Sequence, residues 1–401
     1  MRRYSFFLMA IPLSRIFFIG QVVAGVISLV SITVIANSIG AVAFSYCSTL
    51  LTLLIFMMSV IDFGSCAWAS RELAANRISQ ADYLNVMALK WKHHISILFS
   101  LPVVFFVIRE GLEFSLILFL YPALWNRYNF IQQHLIAKNR IKVSTALLVF
   151  ERICWLLALP LAQLNVRPEL IFCLPILCGL LFHNFLGFRC IRPIKQAKPV
   201  RQISNIELIG KSKYLGVASL SGTVSNLDSF VLVACSSLAE SSSYILAQRF
   251  RNPLTMVFSS VATRLKPIAA SQDHKLLKVT LLEESRFMIL GIVGALVLAT
   301  LLLFYSPLII NSSFENIAST LFIGTLVSIP LGIVLLTSGL LNSIGEEKFV
   351  SKANSLYSIV MLMGIGFSGY KFGGEGAVLT LLFILLVYAA FNVVKIWNLI
   401  K

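Results

Sequence analysis

Charged residues are scarce in this chain: Asp, Glu, Lys and Arg make up 12% of its 401 residues, whereas 58% are hydrophobic. A soluble globular domain carries about 25% charged residues. The chain therefore lacks the charge to cover a soluble globule of its length, and its mean hydropathy is +0.87. Apolar runs of about 20 residues recur along it, long enough to cross a hydrocarbon core. Because no water there can satisfy the backbone, these runs must be helices.

The usual metal and disulfide motifs are also missing. The seven cysteines form no CxxC pair and mostly fall inside apolar runs, where cysteine behaves as a small hydrophobic residue. The five histidines show neither HxxxH nor HExxH spacing, so we expect no metal site and no cofactor. The first apolar run is too long for a signal peptide and lacks a small-residue cleavage site, so we expect a retained helix.

The apolar runs predict an all-α, polytopic membrane protein of about twelve transmembrane helices. The predicted spans are 16–36, 42–62, 93–109, 112–132, 143–163, 168–188, 214–235, 241–264, 287–310, 317–341, 353–370 and 376–397. Loops on one side are a few residues long, whereas the other side has the long segments 63–92, 189–213 and 265–286. No segment is long enough to form a separate soluble domain.

Basic residues outnumber acidic ones, 33 to 17, and they lie almost entirely on the long-loop side. Counted with its flanking helix ends, and so with Arg127, that side carries 27 Lys and Arg residues; the short-loop side carries three, and Arg152, Arg249 and Arg251 lie within spans. Because basic residues concentrate in cytoplasmic loops, both termini are predicted to be cytoplasmic. Topology thus accounts for the positive charge better than nucleic-acid binding does, and no nucleic acid is expected as a partner.

The most basic of the long segments, 189–213, falls at the middle of the chain and carries seven Lys and Arg residues. We expect it to be a cytoplasmic linker between a six-helix lobe at 1–188 and a second at 214–401. Two such lobes are typical of transporters that are built from a repeated unit.

Ionisable side chains at membrane depth are costly and mark candidate functional sites. Counted from their connecting loops, Arg127 lies level with Glu151, and Asp228 lies level with Arg249 and Arg251, each about 15–20 Å along its helix. We therefore predict an Arg127–Glu151 ion pair. A second pair joins Asp228 to only one of the two arginines, because residues two apart on a helix point about 200° from each other.

Four intramembrane arginines face two acids, because Arg152 adds to the three above, and this leaves a charge of about +2 inside the bundle. Arginine keeps its charge and binds phosphate through a bidentate fork. The sequence therefore predicts a cationic cavity for an anionic, phosphate-bearing substrate, with Asp228 and Glu151 as ion-pair or coupling acids. The alternative is that these charges only form structural pairs or extend to the membrane surface.

A further candidate site closes the second predicted helix at its cytoplasmic end. Asp62 and Gly64 lie there, and Arg71 follows one short segment later. Glycine suits either a helix stop or a close helix crossing. These residues are predicted to form a cytoplasmic gate, with a simple helix-end anchor as the alternative.

Several of these segments together resemble the Wzx-like O-antigen and polysaccharide flippases of the multidrug/oligosaccharidyl-lipid/polysaccharide (MOP) superfamily. The similar segments are Val60-Ile61-Asp62-Phe63-Gly64 with Arg71-Glu72-Leu73-Ala74, Asn226-Leu227-Asp228-Ser229-Phe230 with Tyr244, Ala247 and Arg249, and Leu341-Asn342-Ser343-Ile344-Gly345. Together with twelve spans and a basic midpoint loop, the resemblance covers essentially the whole chain.

The resemblance implies a MATE-like fold and a flippase in the bacterial inner membrane. Its substrate would be an undecaprenyl-pyrophosphate-linked oligosaccharide, such as an O-antigen repeat unit used for lipopolysaccharide. The two lobes would rock in alternating access and move the unit from the cytoplasmic to the periplasmic leaflet. Membrane lipids, and a polysaccharide polymerase that receives the unit, are the partners that the resemblance allows. The protein would not be an enzyme.

Two other classes stay open. A multidrug or organic-cation antiporter of the same superfamily would favour unpaired carboxylates in the cavity, whereas arginines outnumber acids here. A membrane polysaccharide polymerase, ligase or glycosyltransferase would need catalytic groups on sizeable periplasmic loops. The short loops carry as acids only Glu110, Glu169, Glu240, Glu315 and Glu375. Joint substitution of Glu240 and Glu315 is expected to abolish turnover by a polymerase and to spare a flippase.

Overall fold

The computed structural model describes residues 2–98, 112–164, 166–191, 204–270 and 274–400, and within these residues it is helical without a strand. The predicted all-α fold is thereby confirmed. The first half contains α1 (Arg2–Asp62), α2 (Ser65–Ala74), α3 (Gln80–Leu98), α4 (Leu112–Ala137), α5 (Ile141–Trp155), α6 (Ala158–Gln163) and α7 (Pro168–Ile191). The second half contains α8 (Asn205–Val224), a 3₁₀ turn (Ser225–Leu227), α9 (Asp228–Cys235), α10 (Leu238–Ala270), α11 (His274–Ile309), α12 (Ile317–Ile344) and α13 (Glu347–Ile400).

Seven stretches of the described chain are long and apolar enough to cross a membrane. They are Ile16–Asp62, Ile141–Gln163, Pro168–Ile191, Ile206–Cys235, Leu276–Ile309, Ile317–Ile344 and Glu347–Leu399. The first and last are 47 and 53 residues long, about twice what one crossing needs.

Both of these double-length stretches are interrupted by a glycine in a non-helical conformation. Gly40 has φ 75° and ψ 172°, and Gly373 has φ 62° and ψ −154°. The last stretch folds back at Gly373, because segments on both sides of it meet: a Cβ on Gly364 would lie 3.0 Å from the Thr380 side chain. The positive φ at these turns is open to glycine at little cost. Two predicted loops, 37–41 and 371–375, are therefore single-glycine turns.

Several predicted segments lie partly outside the described residues or outside the seven apolar stretches. The span 93–109 is described only as far as residue 98, and residues 192–203 of the linker 189–213 lie outside the described residues. The linker's described ends are helical, since α7 continues to Ile191 and α8 begins at Asn205. Ser204 starts α8 by accepting a hydrogen bond from the Glu207 backbone N–H at 3.3 Å. The predicted spans 112–132 and 241–264 lie in α4 and α10, which are not among the seven stretches.

The outward surface of the bundle is apolar, as lipid contact requires. In α11, the least buried of the seven stretches, Phe304 and Leu308 are 67% and 81% exposed. An exposed apolar patch on a soluble protein would mark a binding surface. On a membrane-spanning helix the same side chains face lipid tails.

The two halves share one core at one end of the bundle. We call the helix ends at 37–41, 164–167, 236–240, 311–316 and 371–375 the short-loop end, and the opposite ends the long-loop end. Near the short-loop end, Phe44 and Phe172 of the first half and Phe314 and Tyr244 of the second belong to one buried cluster. Towards the long-loop end, a second cluster around Tyr83 belongs mainly to the first half but includes Leu208 and Leu215 of α8, and a third, around Leu265 and Leu341, lies within the second half. Among the described residues, α1 and α10 form the most extensive contact between the halves.

Candidate functional site

A cavity of about 270 Å³ lies between the two halves in the middle of the bundle. The first half contributes residues of α1, α4, α5 and α7, and the second half contributes Asn226 and the middle of α10. Its lining is Ser28, Ile32, Ile35, Phe44, Leu51, Ile55, Tyr121, Trp125, Arg152, Trp155, Phe172, Ile176, Asn226, Arg249, Asn252, Pro253 and Met256. A mostly apolar, aromatic lining with a few polar groups is typical of ligand-binding sites.

Arg152 and Arg249 are the charged residues of this lining, and none of its described residues is a carboxylate. The Arg249 guanidinium donates a 2.7 Å hydrogen bond to the Ser48 carbonyl through Nη2, which joins the two halves. Its Nε has no partner among the described residues. Arg152 lies over the Trp155 ring at 4.0 Å, and its Nε is also without a partner in the described chain. The cavity is thus cationic, with donors left to bind an anion.

Arg251 was predicted to line the cavity, and the structure places it elsewhere. Its Nη2 lies 3.5 Å from Asp228 Oδ2, in the second half. The predicted pairing of Asp228 with one of two arginines is confirmed, and the partner is Arg251. Because Arg249 and Arg251 point in nearly opposite directions from α10, one reaches Asp228 and the other reaches the cavity.

The Asp228 carboxylate is fully buried and fully engaged. Besides Arg251, it accepts hydrogen bonds from the Tyr244 hydroxyl, from Gln248 Nε2 at 2.8 Å and from the Ser229 backbone N–H at 2.7 Å. Tyr244, Gln248 and Arg251 follow helical spacing along one face of α10. This network fixes α9 against α10 within the second half.

The predicted Arg127–Glu151 ion pair is wrong. The Arg127 guanidinium lies 4.3 Å from the centre of the Phe188 ring and 5.5 Å from that of Trp91. Counting residues along two helices gives depth but not the direction in which each side chain points. Arg127 points towards aromatic rings of α3 and α7, so it neither pairs with Glu151 nor lines the central cavity.

Glu151 is instead buried between α5 and α7. Its Oε1 lies 3.7 Å from Arg152 Nη2, and its Oε2 lies 4.0 Å from His183 Nδ1. Neither oxygen makes a hydrogen bond of good geometry within the described chain, although the Tyr128 hydroxyl is close by. Gly179 lets α7 approach, since a Cβ there would lie 2.7 Å from the Glu151 carbonyl oxygen.

The predicted cytoplasmic gate residues lie where the halves meet at the long-loop end. Gly64 has φ 70°, and a Cβ on it would overlap the Gly216 backbone nitrogen, so the two backbones touch across the interface. Arg71 forms an ion pair with Glu347 of the other half. Asp62 stays within its own half, where it accepts from the Cys66 backbone N–H at 3.3 Å. Gly64 and Arg71, but not Asp62, therefore contact the opposite half through these groups.

Contacts between the halves at the short-loop end were not predicted as part of a site. Asn37 donates to the Ile309 carbonyl at 2.7 Å and accepts from the Asn311 backbone N–H at 2.9 Å. The Ser313 hydroxyl accepts from the Ala41 backbone N–H at 3.3 Å. No pattern in the sequence indicates these contacts, because loop neighbours in space are not neighbours in the chain.

The aromatic lining of the cavity was also missed, although it had a signal. Tyr121 and Trp125 are four residues apart in α4, and their rings stack at 5.8 Å. Such spacing places both on one helix face. In the part of the chain that the structure describes, no group of three or more His, Cys, Asp or Glu side chains could hold a metal ion.

No family model and no curated protein sequence matches this chain. Solved structures do match over nearly its full length. An outward-facing multidrug-resistance MATE transporter of the MOP superfamily aligns with 97% of this chain and 94% of its own, at 14% identity and a TM-score of 0.69. The MATE multidrug transporter DinF-BH covers 96% and 94% at 14% identity and a TM-score of 0.70.

A third similar structure is a MOP superfamily transporter from Pyrococcus furiosus, which aligns with 97% of this chain and 95% of its own at 10% identity and a TM-score of 0.70. Its binding pocket is described as having reverse polarity, which suggests a different function for that protein. At these identities the likeness shows the fold. The chain has the fold of MOP superfamily membrane transporters, and the similar structures are transporters rather than enzymes.

Proposed function

We propose that the protein is a flippase for a lipid-pyrophosphate-linked oligosaccharide, of the kind used for O-antigen, in a bacterial inner membrane. The observation that carries this proposal is the central cavity, which Arg152 and Arg249 make cationic without a lining carboxylate. Pyrophosphate is the group that such a site suits, because each guanidinium offers a planar pair of donors to phosphate oxygens.

The cavity volume limits how the substrate passes. At about 270 Å³ it accommodates a pyrophosphate group but not an attached oligosaccharide. The halves must therefore separate for the glycan to pass. Rocking of two halves about a fixed site is the usual motion of transporters with this architecture.

The contacts at the two ends of the interface would open in turn. The 27 basic residues on the long-loop side assign that end to the cytoplasm, so both termini are cytoplasmic. Entry then requires the Arg71–Glu347 ion pair and the Gly64–Gly216 contact to part. Exit to the periplasmic leaflet requires Asn37 to release the backbone around Ile309.

Glu151 is the acid we propose for coupling to an ion gradient. Asp228 is held by four partners, whereas Glu151 lies near Arg152 without a well-formed hydrogen bond. Protonation of Glu151 would release the attraction on Arg152, which lines the cavity. A change of charge at Glu151 would thereby alter the affinity of the cavity for an anion.

A multidrug antiporter is the second candidate function. The matching MATE multidrug transporters and the stacked aromatic rings of Tyr121 and Trp125 favour it, since planar organic compounds stack on such rings. The two arginines oppose it for cationic drugs, which they would repel at short range. A polysaccharide polymerase or ligase has no support from the similar structures, which are transporters.

The test is to deplete the protein in its native bacterium and locate the lipid-linked oligosaccharide by leaflet-specific labelling. Complementation with Arg152→Gln/Arg249→Gln is expected to leave complete single units on the cytoplasmic leaflet. The matched control is Arg127→Gln, which removes an arginine outside the cavity and should restore flipping. Units that accumulate on the periplasmic leaflet would instead favour the polymerase or ligase. Normal flipping with increased drug sensitivity would favour the antiporter.

A further inference from the structure

A second cavity, of about 220 Å³, lies within the second half at the short-loop end. It is formed by the start of α10, the start of α12 and the glycine turn of α13. Its lining is Glu240, Ser243, Glu315, Asn316, Thr320, Gly369, Tyr370, Lys371, Phe372, Gly373, Gly374 and Glu375. The turn is pressed against α10, since a Cβ on Gly374 would lie 3.0 Å from the Glu240 carbonyl oxygen.

The charges of this cavity are opposite to those of the central one. Glu240, Glu315 and Glu375 come from three separate loops, and Lys371 is the basic residue of the lining. The Lys371 ammonium lies over the Phe367 ring at 4.8 Å. Carboxylates only accept hydrogen bonds, so they suit a ligand with several donors and reject an anion such as pyrophosphate. The second cavity therefore selects a different group from the one that Arg152 and Arg249 select.

An independent observation at Thr320 also points to a ligand. This residue is 1% exposed and lines the cavity, yet its hydroxyl has no hydrogen-bond partner among the described residues. Buried hydroxyls almost always have a partner, and leaving one unpaired is destabilising. A polar ligand in the cavity would supply that partner.

The size and chemistry of the cavity narrow the ligand class. Within the described chain, these carboxylates do not form a group that could hold a metal ion. The volume is below the roughly 300–1,000 Å³ of sites for drug-sized molecules, and it suits a single sugar ring. Tyr370 and Phe372, 76% and 68% exposed, provide ring faces at the cavity on which a sugar can pack.

We propose that this cavity binds one sugar residue of the oligosaccharide at the face where the substrate leaves. Glu315 and Glu375 accept hydrogen bonds from the hydroxyl groups of the sugar, and the Thr320 hydroxyl forms one further hydrogen bond with it. The proposal rests on the proposed flippase function and adds a glycan subsite, separate from the pyrophosphate cavity. Occupation of this site would hold the glycan at the periplasmic face after the halves have opened.

The test is a calorimetric titration of the full-length protein in lipid nanodiscs. The probe is the water-soluble repeat unit, freed from its lipid pyrophosphate by mild acid. Glu315→Gln/Glu375→Gln is expected to weaken binding at least tenfold, and Thr320→Val several-fold. Glu169→Gln, an acid of another short loop that does not line this cavity, is the matched control and should bind as the unmodified protein does.

The choice of variants keeps the test informative. Glu240 is left intact because its carboxylate accepts from the Ser237 backbone N–H at 3.2 Å and caps α10. Thr320→Val keeps the side-chain shape, so it reports on the site even if the double variant misfolds. Absence of binding to the unmodified protein, or equal binding by Thr320→Val, overturns the proposal. Binding of tetraethylammonium in place of the glycan overturns it as well.

Failure of this proposal and failure of the flippase function give different results. The freed repeat unit carries no pyrophosphate, so Arg152→Gln/Arg249→Gln is expected to bind it normally. If Arg152→Gln/Arg249→Gln loses flipping and neither the unmodified protein nor any variant binds the freed repeat unit, the flippase function is supported and the glycan subsite is refuted.

Discussion

Two carboxylates are buried at comparable depth in the two halves, and their surroundings differ. Asp228 accepts three hydrogen bonds and has Arg251 at 3.5 Å. Glu151, which is just as buried, has the Arg152 guanidinium at 3.7 Å, a His183 ring nitrogen at 4.0 Å and the Tyr128 hydroxyl close by, but no hydrogen bond of good geometry among the described residues. Burial alone thus does not distinguish a structural acid from a functional one. The difference lies in how many partners compensate the charge.

A buried acid with full compensation holds its helices in one arrangement. Removing such a partner leaves an isolated charge in a poorly polarisable interior, which costs far more than the pair contributes. An acid without full compensation can gain or lose a proton with less disruption around it. We therefore assign Asp228 to the architecture of the second half and propose Glu151 as the coupling acid in the first.

The largest expected effect is that of Asp228→Ala. It leaves the Arg251 guanidinium buried without its counter-charge, and it also removes the acceptor for Tyr244 and Gln248. Breaking a buried pair in this way costs about 3–5 kcal/mol. The apparent melting temperature of the detergent-purified protein should fall sharply. Asp228→Ala/Arg251→Met, which removes both charges, should recover part of the loss, and equal instability of the two variants would refute the pairing.

The next largest expected effect is a difference in stability between variants of the two arginines of α10. Arg251→Met leaves Asp228 with its hydrogen bonds from Tyr244, Gln248 and Ser229, so we expect a smaller loss, about 1–3 kcal/mol. Arg249→Met removes the hydrogen bond to the Ser48 carbonyl but leaves no buried counter-charge unpaired, so we expect a loss of only about 1 kcal/mol. Flipping should be lost in Arg249→Met even though the protein stays folded. Thermal unfolding and leaflet labelling of Arg251→Met and Arg249→Met measure the two effects. Similar losses of stability in both variants would contradict the assignment of Arg251 to Asp228 and of Arg249 to the cavity.

These residues also show what the sequence could predict. Helix periodicity showed that only one of Arg249 and Arg251 could reach Asp228, because residues two apart on a helix point in nearly opposite directions. The short connection between α9 and α10 placed Asp228 at the same depth as the two arginines. Depth along a helix was not enough for Arg127, because its direction depends on how α4 is rotated against α3 and α7. Nor could the sequence show that the glutamates of three separate short loops line one cavity, since the order of spans does not reveal which loops are neighbours.

The third prediction concerns Glu151→Gln, which mimics the protonated acid. Stability should change by no more than about 1 kcal/mol, since no hydrogen bond of good geometry is lost. Transport in proteoliposomes should become insensitive to an imposed pH gradient. Glu169→Gln, an acid at the start of α7 outside the central cavity, is the control and should keep the response. A response in Glu151→Gln equal to that of the unmodified protein would remove Glu151 as the coupling acid.

The smallest expected effect is that of Arg127→Met. Its guanidinium lies over two aromatic rings, and such contacts contribute roughly 0.5–1 kcal/mol at partly exposed positions. If Arg127 were the partner of Glu151, its removal would leave a buried carboxylate alone and cost about 3–5 kcal/mol. The two arrangements therefore differ severalfold in the fall of the melting temperature. A double-mutant cycle with Glu151→Gln decides between them: additive losses support the aromatic contacts, and a coupling energy above about 1 kcal/mol would restore the ion pair.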